Sequence, residues 1–465
     1  MQTTIAETPL YGIPYRHMII RPHTRWIIQW SFVAIFIIVA PYLIIKVLGY
    51  VIDINHWRLV KAGSIYLQFE PRDAEISING KPYPKKGSFV NHDVYISGLA
   101  PDTYTITLSQ EGLTPWQKKL EVTSGMVARA TNIILWPEQF SPRASSSQVT
   151  SFSPTLRGFI NKRGAALSIK NDTIKGTEVI VSQSDSPYVV TKEASHYYFI
   201  DIASPTSSIS IDTMFSRLQK TLPSPTSTEP IRAILPHPFN QSKLIIAGKT
   251  SLFLLDPKKE TLERIIQTEG LITYAIQGNE LFVIDTHGSL TITHLMLHTT
   301  TQYPTHLSFA KRIAIHRGGS YLLIEDENRA LFLFNRTTNS LTNLANDVAH
   351  FSFSPDGTRF IYITNNRTVT TYYLIDVEDA VFHPANTTTS FVLAPQSIIS
   401  TFSWIPSTTH YFLIQRNNTL MLEEFDTRTP RNVATIAKNV RSFILDSQLY
   451  ILYTNNTLSY GPLSQ

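Results

Sequence analysis

A long uncharged segment near the N-terminus constrains this chain more than any other feature. Residues 26–45 read WIIQWSFVAIFIIVAPYLII and contain no charged side chain. A helix rises about 1.5 Å per residue, so a segment of this length spans roughly 30 Å, the thickness of the hydrocarbon core of a bilayer. Trp26 and Trp30 at one end and Tyr42 towards the other are typical interfacial residues. The sequence therefore predicts a transmembrane helix over residues 26–50.

Two alternatives to a permanent anchor are a buried core helix and a cleaved signal peptide. A core helix of this length usually has a polar face, and a signal peptide usually has a shorter apolar run with a small-residue cleavage site. Arg16, Arg21 and Arg25 precede the segment, whereas Lys46 and Asp53 are the nearest charges after it. By the positive-inside rule, we expect a single-pass plasma-membrane protein with a cytoplasmic tail over residues 1–25 and extracytoplasmic C-terminal domains.

The composition narrows the chemistry of the region beyond the helix. The chain has 465 residues and no cysteine, which excludes a disulfide-stapled scaffold, thiol catalysis and cysteine-bound metal sites. The 40 basic and 35 acidic residues are scattered without a Lys/Arg-rich block, so nucleic acid is not expected as a partner. Charged residues make up only 16 % of the chain, while Ser, Thr, Tyr and Phe abound, which is typical of a β-rich protein.

The first extracytoplasmic domain is predicted to be a small β-sandwich over residues 62–137. It follows a short stalk over residues 53–61, for which a helix is one option. Apolar residues alternate with polar ones in GSIYLQFEP, AEISING, TYTITLSQ and KKLEVTSG. Asn79-Gly80 is a strong signal for a two-residue hairpin. Further turns are predicted at Pro101-Asp102, Glu111-Gly112 and Ser124-Gly125.

The order of these pieces resembles the PEGA domain. The resemblance rests on the following residues, taken in chain order: Gly63, Pro71-Arg72-Asp73-Ala74, Asn79-Gly80, Pro101-Asp102-Thr103-Tyr104, Glu111-Gly112-Leu113 and Ser124-Gly125. The namesake motif reads PRDA here, and Asp102 stands where the family commonly has glycine. The resemblance implies a non-catalytic spacer or adhesion module that faces the cell envelope.

Residues 138–148 are rich in Ser and Pro and are predicted to be a linker. Beyond them, residues 149–465 repeat a pattern of short strands with a period of about 40 residues, which is the signature of a β-propeller with about four strands per blade. The second strand of each repeat is predicted to begin near Phe159, Tyr197, Leu244, Leu281, Tyr321, Phe360, Tyr411 and Leu449. The last repeat stops after its third strand, as expected if an N-terminal strand closes the ring.

These repeats resemble the TolB-like and WD40-like propeller families, with Ser354-Pro355-Asp356-Gly357 as the one recognisable signature. The predicted fold class is all-β: one transmembrane helix, a PEGA-like sandwich, then a seven- or eight-bladed propeller. The resemblance extends to the architecture of residues 149–465 and implies no particular function.

Motifs for catalysis, nucleotide binding and calcium binding are not found in the sequence. Histidines are spread over the repeats and are interpreted mainly as turn and surface residues, with a metal site at the propeller axis as the alternative; those singled out are His237, His287, His294, His298, His316, His350, His383 and His410. Five aspartates stand at or just after strand ends, where turn chemistry is the usual role: Asp256, Asp285, Asp326, Asp356 and Asp376. No catalytic, cofactor-binding or metal-binding residue is assigned, and the ligand-binding residues are unknown.

Aromatic residues offer a further indication of function. Trp116, Trp136 and Trp404 stand at turns or strand ends, where exposed rings would hold sugars or extended peptides; the alternative is that they fill the domain cores. We therefore expect a non-catalytic, membrane-anchored binding or scaffold protein of the bacterial cell envelope that docks a protein or glycan partner through the propeller. The alternatives are a propeller enzyme acting on cell-wall polysaccharide and an accessory or sensor subunit of a membrane complex.

Overall fold

The computed structural model describes residues 22–53, 58–84, 93–146, 148–155, 158–169, 172–183, 185–223, 228–268, 270–305, 307, 310–378, 381–393, 398–406, 408–446 and 448–463. The chain forms two compact units. The first comprises residues 1–66, 95–103 and 121–128, and the second comprises residues 67–94, 104–120 and 129–465.

The uncharged segment is helical, as predicted. Helix α1 (Pro22–Val47) contains Pro41, and its large apolar side chains are exposed from Trp26 onwards. Residues Trp26–Val47 are a candidate membrane span by length and composition. The predicted cytoplasmic tail, with Arg16 and Arg21, lies outside the described residues.

The segment that follows the helix is a β-hairpin, so the helical option for the stalk is wrong. Strands β1 (Tyr50–Asp53) and β2 (Arg58–Lys61) are antiparallel, with Tyr50 opposite Lys61. The hairpin tip, residues 54–57, lies outside the described residues.

Residues 63–134 form the two sheets of the predicted sandwich. Its strands are β3 (Gly63–Glu70), β4 (Glu75–Ile78), β5 (Lys81–Tyr83), β6 (Asp93–Leu99), β7 (Asp102–Ser109), β8 (Trp116–Val122) and β9 (Val127–Ile134). One sheet has the order β6-β3-β9 and the other β5-β4-β7-β8. The alternation read from the sequence is present in β8, where Trp116, Lys118, Leu120 and Val122 are buried and the residues between them are exposed.

The predicted hairpin turn is confirmed in detail. Ile78 lies opposite Lys81, so Asn79 and Gly80 form a two-residue loop. Their φ angles are 50° and 77°, the left-handed conformation that Asn-Gly favours in such turns.

Eight successive four-stranded antiparallel sheets follow in the described residues. Strand β10 (Ala144–Ser146) precedes them in the chain and belongs to the last sheet. The first four sheets consist of β11 (Ser151–Thr155), β12 (Gly158–Arg163), β13 (Ala166–Ile169), β14 (Asp172–Ile174); β15 (Glu178–Val181), β16 (Tyr188–Glu193), β17 (His196–Asp201), β18 (Ser208–Ser210); β19 (Ala233–Pro236), β20 (Leu244–Ala247), β21 (Ser251–Asp256), β22 (Thr261–Gln267); and β23 (Leu271–Gln277), β24 (Glu280–Asp285), β25 (Ser289–His294), β26 (Thr300–Pro304). Helix α2 (Ile211–Gln219) follows β18.

The remaining sheets use β27 (Ala310–Ile315), β28 (Tyr321–Asp326), β29 (Leu331–Asn335), β30 (Ser340–Ala345); β31 (Val348–Phe353), β32 (Arg359–Thr364), β33 (Thr368–Tyr373), β34 (Val377–Glu378), β35 (Phe382–His383), β36 (Thr388–Val392); β37 (Ile399–Ile405), β38 (Thr408–Arg416), β39 (Thr419–Glu424), β40 (Val433–Ala437); and β41 (Val440–Leu445), β42 (Leu449–Tyr453), β43 (Leu458–Gly461). Strands β34 and β35 form a hairpin between β33 and β36.

The sheets are the blades of a propeller, and we number them 1 to 8 in chain order. In blades 1 to 7 the strands are lettered a to d in chain order; in blade 8, β41, β42 and β43 are a, b and c, and β10 is d. The a strands of blades 2 and 3, 4 and 5, 5 and 6, and 7 and 8 contact one another. Buried apolar clusters lie between each blade and the next, and the cluster of Val149, Tyr450, Leu452 and Leu458 joins blade 8 to blade 1. Of the two predicted blade numbers, the described residues therefore give eight.

An N-terminal strand closes the ring, as the incomplete last repeat predicted. β10 is strand d of blade 8, and its Ala144 and Ser146 lie opposite Tyr460 and Leu458. This strand lies within residues 138–148, the predicted linker, so the propeller begins before residue 149.

The strand order fixes which loops share a face. Because neighbouring strands are antiparallel, the loops between strands a and b and between strands c and d emerge on one side of the ring, which we call the a–b/c–d face. The b–c loops and the connections between blades emerge on the opposite face.

Candidate binding surface

The three tryptophans are buried, which confirms the interpretation that they fill the domain cores and excludes them as exposed aromatic platforms. Trp116, Trp136 and Trp404 are 3 %, 4 % and 7 % exposed. Trp136 packs edge-on against Tyr411 at 5.6 Å, and Trp404 lies 4.7 Å from the ring of Phe425. Alternation places Trp116 on the inner side of strand β8, whereas Trp136, just after β9, and Trp404, near the end of β37, belong to buried apolar clusters of the propeller.

The five aspartates at strand ends cap turns, and the topology divides them between the two faces. Asp285 and Asp326 follow b strands, whereas Asp256, Asp356 and Asp376 lie in a–b or c–d loops. Backbone N–H groups donate to each of their carboxylates. The aspartates therefore do not ring one face.

Most of the histidines are gathered on the a–b/c–d face. Those in or beside its loops are His237, His294, His298, His316, His383 and His410, whereas His287 lies in a b–c loop and His350 near the start of a strand. In the part of the chain that the structure describes, no three His, Asp or Glu side chains are arranged to hold a metal ion.

Exposed apolar side chains lie at loop tips of this same face. In the loops of blades 3, 4 and 6 they are Phe239, Met296, Leu297, Ile375, Val381 and Phe382, with exposed fractions between 48 % and 68 %. Val392 and Ile398, also exposed, lie at the opposite end of blade 6 and in the connection to blade 7. The a–b/c–d face thus combines histidines with apolar tips.

A cleft of about 340 Å³ opens beside blades 6 and 7. Its walls include Asn132 of β9, Tyr373, Val381, His383 and His410. The rings of Tyr373 and His383 are stacked at 4.2 Å with an interplanar angle of 7°. Nδ2 of Asn132 lies 2.7 Å from Nε2 of His410. The cleft has room for one or two side chains of a bound chain.

A second, more polar cleft of about 380 Å³ shares the Asn132–His410 wall. Its other lining residues include Arg317, Asp356 and Thr408, from the a–b loops of blades 5, 6 and 7. The first cleft is the more apolar and the second the more polar, and the hydrogen-bonded pair of Asn132 and His410 lies between them.

Lys118 of strand β8 is inserted into the c–d loop of blade 7. Its side chain is fully buried, and Nζ donates to the carbonyl oxygens of Asp426 (3.0 Å) and Arg428 (2.6 Å). The same ammonium pairs with the carboxylate of Glu424. Glu424 also accepts hydrogen bonds from Nε1 of Trp116 (3.2 Å) and from the backbone N–H of Asn432 (2.9 Å). We call Lys118, together with Trp116, Glu424, Asp426, Arg428 and Asn432, the lysine clamp.

The backbone of β8 pairs with the same loop. The amide of Asn432 accepts from the N–H of Gln117 (2.9 Å) and donates to its carbonyl (3.2 Å). The N–H of Lys119 donates to the carbonyl of Thr429 (2.9 Å). This loop therefore covers the edge strand of the sheet, which would otherwise expose unpaired backbone groups.

Burial dominates the electrostatics of the clamp. It lowers the pKa of Lys118 and raises the pKa of Glu424, and in each case the partner's charge opposes the shift. Burial also acts to raise the pKa of Asp426, but hydrogen bonds from Arg428 and the charges of Arg428 and Lys118 outweigh it, so the pKa lies below its ordinary value. Each of these charges depends on its partners to remain ionised.

Sequence reasoning missed Lys118. The signal was the alternation in WQKKLEV, which puts Lys118 on the same side of the strand as Trp116 and Leu120. A lysine on the apolar side of a strand needs an acidic partner, because a lone buried charge is costly.

No family model and no curated protein matches the chain, and the resemblance of residues 62–137 to the PEGA domain stays a prediction. Similar solved structures include Hsv2 of Kluyveromyces lactis, with 8 % identity, a TM-score of 0.43 and coverage of 63 % of this chain and 98 % of that chain. Hsv2 of Kluyveromyces marxianus has 11 % identity and a TM-score of 0.41, with coverage of 69 % and 100 %. PorZ, a surface component of the type IX secretion system of Porphyromonas gingivalis, has 14 % identity and a TM-score of 0.35, with coverage of 63 % and 37 %. The likeness concerns the fold alone.

Proposed function

We propose that this protein is a non-catalytic, membrane-anchored scaffold of the cell envelope that docks a protein partner on the a–b/c–d face of its propeller. The observation that carries the proposal is the placement of Phe239, Met296, Leu297 and Phe382 at loop tips of that face, with their side chains more than half exposed. Apolar side chains gathered on one face are typical of interaction surfaces.

The chemistry of the tips favours a protein over a glycan. Sugars are usually held by the faces of aromatic rings, and the three tryptophans that would supply them are buried. Methionine and leucine tips, with a polar surround, are instead characteristic of protein interfaces, where Met is enriched and adapts its shape to the partner.

The remaining parts fit an anchored scaffold. Helix α1 serves as a permanent membrane anchor, and the arginines that precede it favour a cytoplasmic N-terminus. The sandwich, which resembles the PEGA domain, acts as a spacer, and the lysine clamp supports a fixed attachment of strand β8 to blade 7. The five aspartates at strand ends cap turns, which supports a binding role over turnover.

Site-specific photo-cross-linking tests the proposal. A cross-linking residue is placed at Leu297 or Phe382 on the a–b/c–d face, and at Val392 or Ile398 as matched controls with similar exposure on the other side. In intact cells, the first two positions are expected to yield discrete adducts with one envelope protein, identified by mass spectrometry, and the controls are not.

Three outcomes would overturn the proposal. Adducts with lipid alone would make the face a membrane-contact surface. Equal protein adducts from both sides would mean that the face has no special role. Turnover of a cell-wall polymer by the purified protein, lost when clefts beside blades 6 and 7 are mutated, would replace the scaffold with an enzyme.

A further inference from the structure

Two loops that carry the apolar tips are closed by histidine side chains. Nδ1 of His237 accepts the backbone N–H groups of Phe239 (3.2 Å) and Asn240 (3.1 Å) in the a–b loop of blade 3. Nδ1 of His294 accepts the N–H of Leu297 (3.1 Å) in the c–d loop of blade 4. A ring nitrogen accepts a hydrogen bond only when it carries no proton, so both bonds require a neutral imidazole.

The a–b loop of blade 5 has the same arrangement. Nδ1 of His316 accepts the N–H of Gly318 (3.2 Å), and its Nε2 lies 2.9 Å from the carbonyl oxygen of Gly357 in the Ser-Pro-Asp-Gly turn of blade 6. With Nδ1 as an acceptor, Nε2 carries the proton and donates to that carbonyl. One neutral tautomer thus holds its own loop and joins it to the next blade.

Loops of the same kind elsewhere on this face use side chains that do not titrate near neutral pH. Oδ1 of Asp256 accepts the N–H groups two and three residues further on, at 3.1 Å each. Oδ1 of Asn335 does the same at 2.9 and 3.3 Å. An amide takes up no proton and a carboxylate has an ordinary pKa near 4, whereas that of imidazole is about 6.5. In consecutive blades 3, 4 and 5, histidine therefore performs the capping role that aspartate or asparagine performs in the other two loops.

We propose that His237, His294 and His316 form a pH-sensitive set of loop caps that loosens the a–b/c–d face when they are protonated. Its effect on partner binding rests on the proposed docking function, because Phe239, Met296 and Leu297 are the tips that the caps hold. The capping itself depends only on the hydrogen bonds of the three loops.

The groups that face His237 favour its neutral form. Burial and the nearby charge of Lys243 lower its pKa. Gln241 of the same loop donates to the carbonyl of Asp185 in blade 2, which brings one acidic residue beside the loop. Because folding lowers this pKa, the stability that the neutral ring contributes is complete above the ordinary value near 6.5 and is lost as the pH falls below it.

Charged groups of both signs lie near His294. Glu280 lies directly opposite His294 in the sheet, and its carboxylate is paired with Arg336 at 2.9 Å. His298, which pairs with Glu263 at 3.4 Å, donates its backbone N–H to the carbonyl of His294.

The ring of His316 meets mainly apolar groups. It packs edge-on against the rings of Tyr321 and Phe353, at 5.7 and 5.5 Å. The charged groups nearest in the chain and in the adjoining turn are Arg317 and Asp356, and the paired side chains of Glu280 and Arg336 approach Gly319 of the same loop. Protonation of this ring would place a second N–H against that of Gly318, so the cap opens.

Hydrogen–deuterium exchange of the full-length protein in detergent, between pH 7.5 and pH 5.5, tests the proposal. After correction for intrinsic exchange, protection of the loops that follow His237, His294 and His316 is expected to fall by up to about tenfold per pH unit below the ordinary imidazole value near 6.5. The loops capped by Asp256 and Asn335 are internal controls and should keep their protection.

Asparagine variants provide the matched control. His237→Asn, His294→Asn and His316→Asn retain an oxygen acceptor near the position of Nδ1 and remove the titration. They should keep protection at pH 7.5 and abolish its decrease at pH 5.5. Equal loosening in these variants, or no loosening in the native protein, would overturn the proposal.

Cross-linking from Leu297 at the two pH values separates the switch from the docking function. Loss of adducts at pH 5.5 in the native protein, with retention in the triple asparagine variant, supports the switch. Adducts that persist at pH 5.5 despite open caps would show that the caps do not regulate docking and would overturn that part. Open caps with no protein adduct at either pH would leave the switch standing and the docking function refuted.

Discussion

The a–b/c–d face has two sectors that differ in what covers them: one is covered by another segment of this chain, and the other is exposed. At blade 7, strand β8 covers the face through the lysine clamp, and Lys118 and Glu424 are almost completely buried. At blades 3 and 4, Phe239, Met296 and Leu297 remain exposed. Buried, mutually satisfied charges fix one geometry within the chain, whereas exposed apolar tips are available to a second molecule.

Loss of the clamp lysine is the largest effect we expect. Lys118→Ala leaves the carboxylate of Glu424 buried without its cation, and breaking such a pair costs about 3–5 kcal/mol of the free energy of unfolding. Lys119→Ala, which changes an exposed neighbour, should stay within about 0.5 kcal/mol. Denaturant unfolding of the two variants measures the difference.

Removing the carboxylate of Glu424 as well tests whether its unpaired charge causes the loss of stability. In Lys118→Met combined with Glu424→Gln, no uncompensated charge remains buried, so much of the lost stability should return. Equal destabilisation by Lys118→Ala and Lys119→Ala would mean that the covered sector is not held by the clamp.

The side chain of Asn432, which pairs with the backbone of Gln117, is expected to make the next largest contribution to stability. Asn432→Ala removes two exposed hydrogen bonds to Gln117 and a partly buried one to Glu424, at a cost of about 1–2 kcal/mol. Asn343→Ala, an exposed position on strand β30, is the control and should be nearly neutral. A similar small effect at both sites would contradict the role of Asn432.

The two sectors should respond differently to mild acid. The raised pKa of Glu424 means that its contribution to stability is lost as the pH rises and grows as the pH falls towards its ordinary range. The lowered pKa of Asp426 preserves its contribution above about pH 4. Amide exchange of residues 116–120 should therefore not increase between pH 7.5 and 5.5, while the loop of His237 loosens. Loosening of residues 116–120 in this range would break the comparison.

Truncation of an apolar tip is expected to have the smallest effect on folding. Leu297→Ala should change the free energy of unfolding by less than about 0.5 kcal/mol, because the side chain is already 67 % exposed. Leu295→Ala, two residues earlier and only 9 % exposed, should cost about 2–4 kcal/mol. Thermal unfolding checks both. A large loss at Leu297 would assign the tip to the fold rather than to a partner.

Much of the propeller could be predicted from the sequence because a repeated strand pattern specifies repeated sheets. The second strands predicted near Leu244, Tyr321 and Leu449 begin at those residues in the structure, and the one predicted near Tyr411 begins three residues earlier, at Thr408. The turn at Asn79-Gly80 could also be predicted, because the residues of the turn themselves favour its conformation.

The binding surface could not be predicted, because it depends on which loops share a face. His237 and His294 are far apart in sequence and come to the same side only through the alternation of antiparallel strands. The burial of Trp116 depends in part on Glu424, more than 300 residues away, which accepts its Nε1–H. Only the position of Lys118 on the inward side of its strand could have indicated such a distant acidic partner.

The order of attachments along the chain has a mechanical consequence. Tension applied at the N-terminal helix reaches strand β8 and its clamp before it reaches β10, whose three residue pairs close the ring. The lysine clamp therefore protects the strand pairing that closes the propeller from a pull on helix α1. A pull from the N-terminal side is then transmitted through strand β8 to blade 7 before it can load the pairing of β10 with β43.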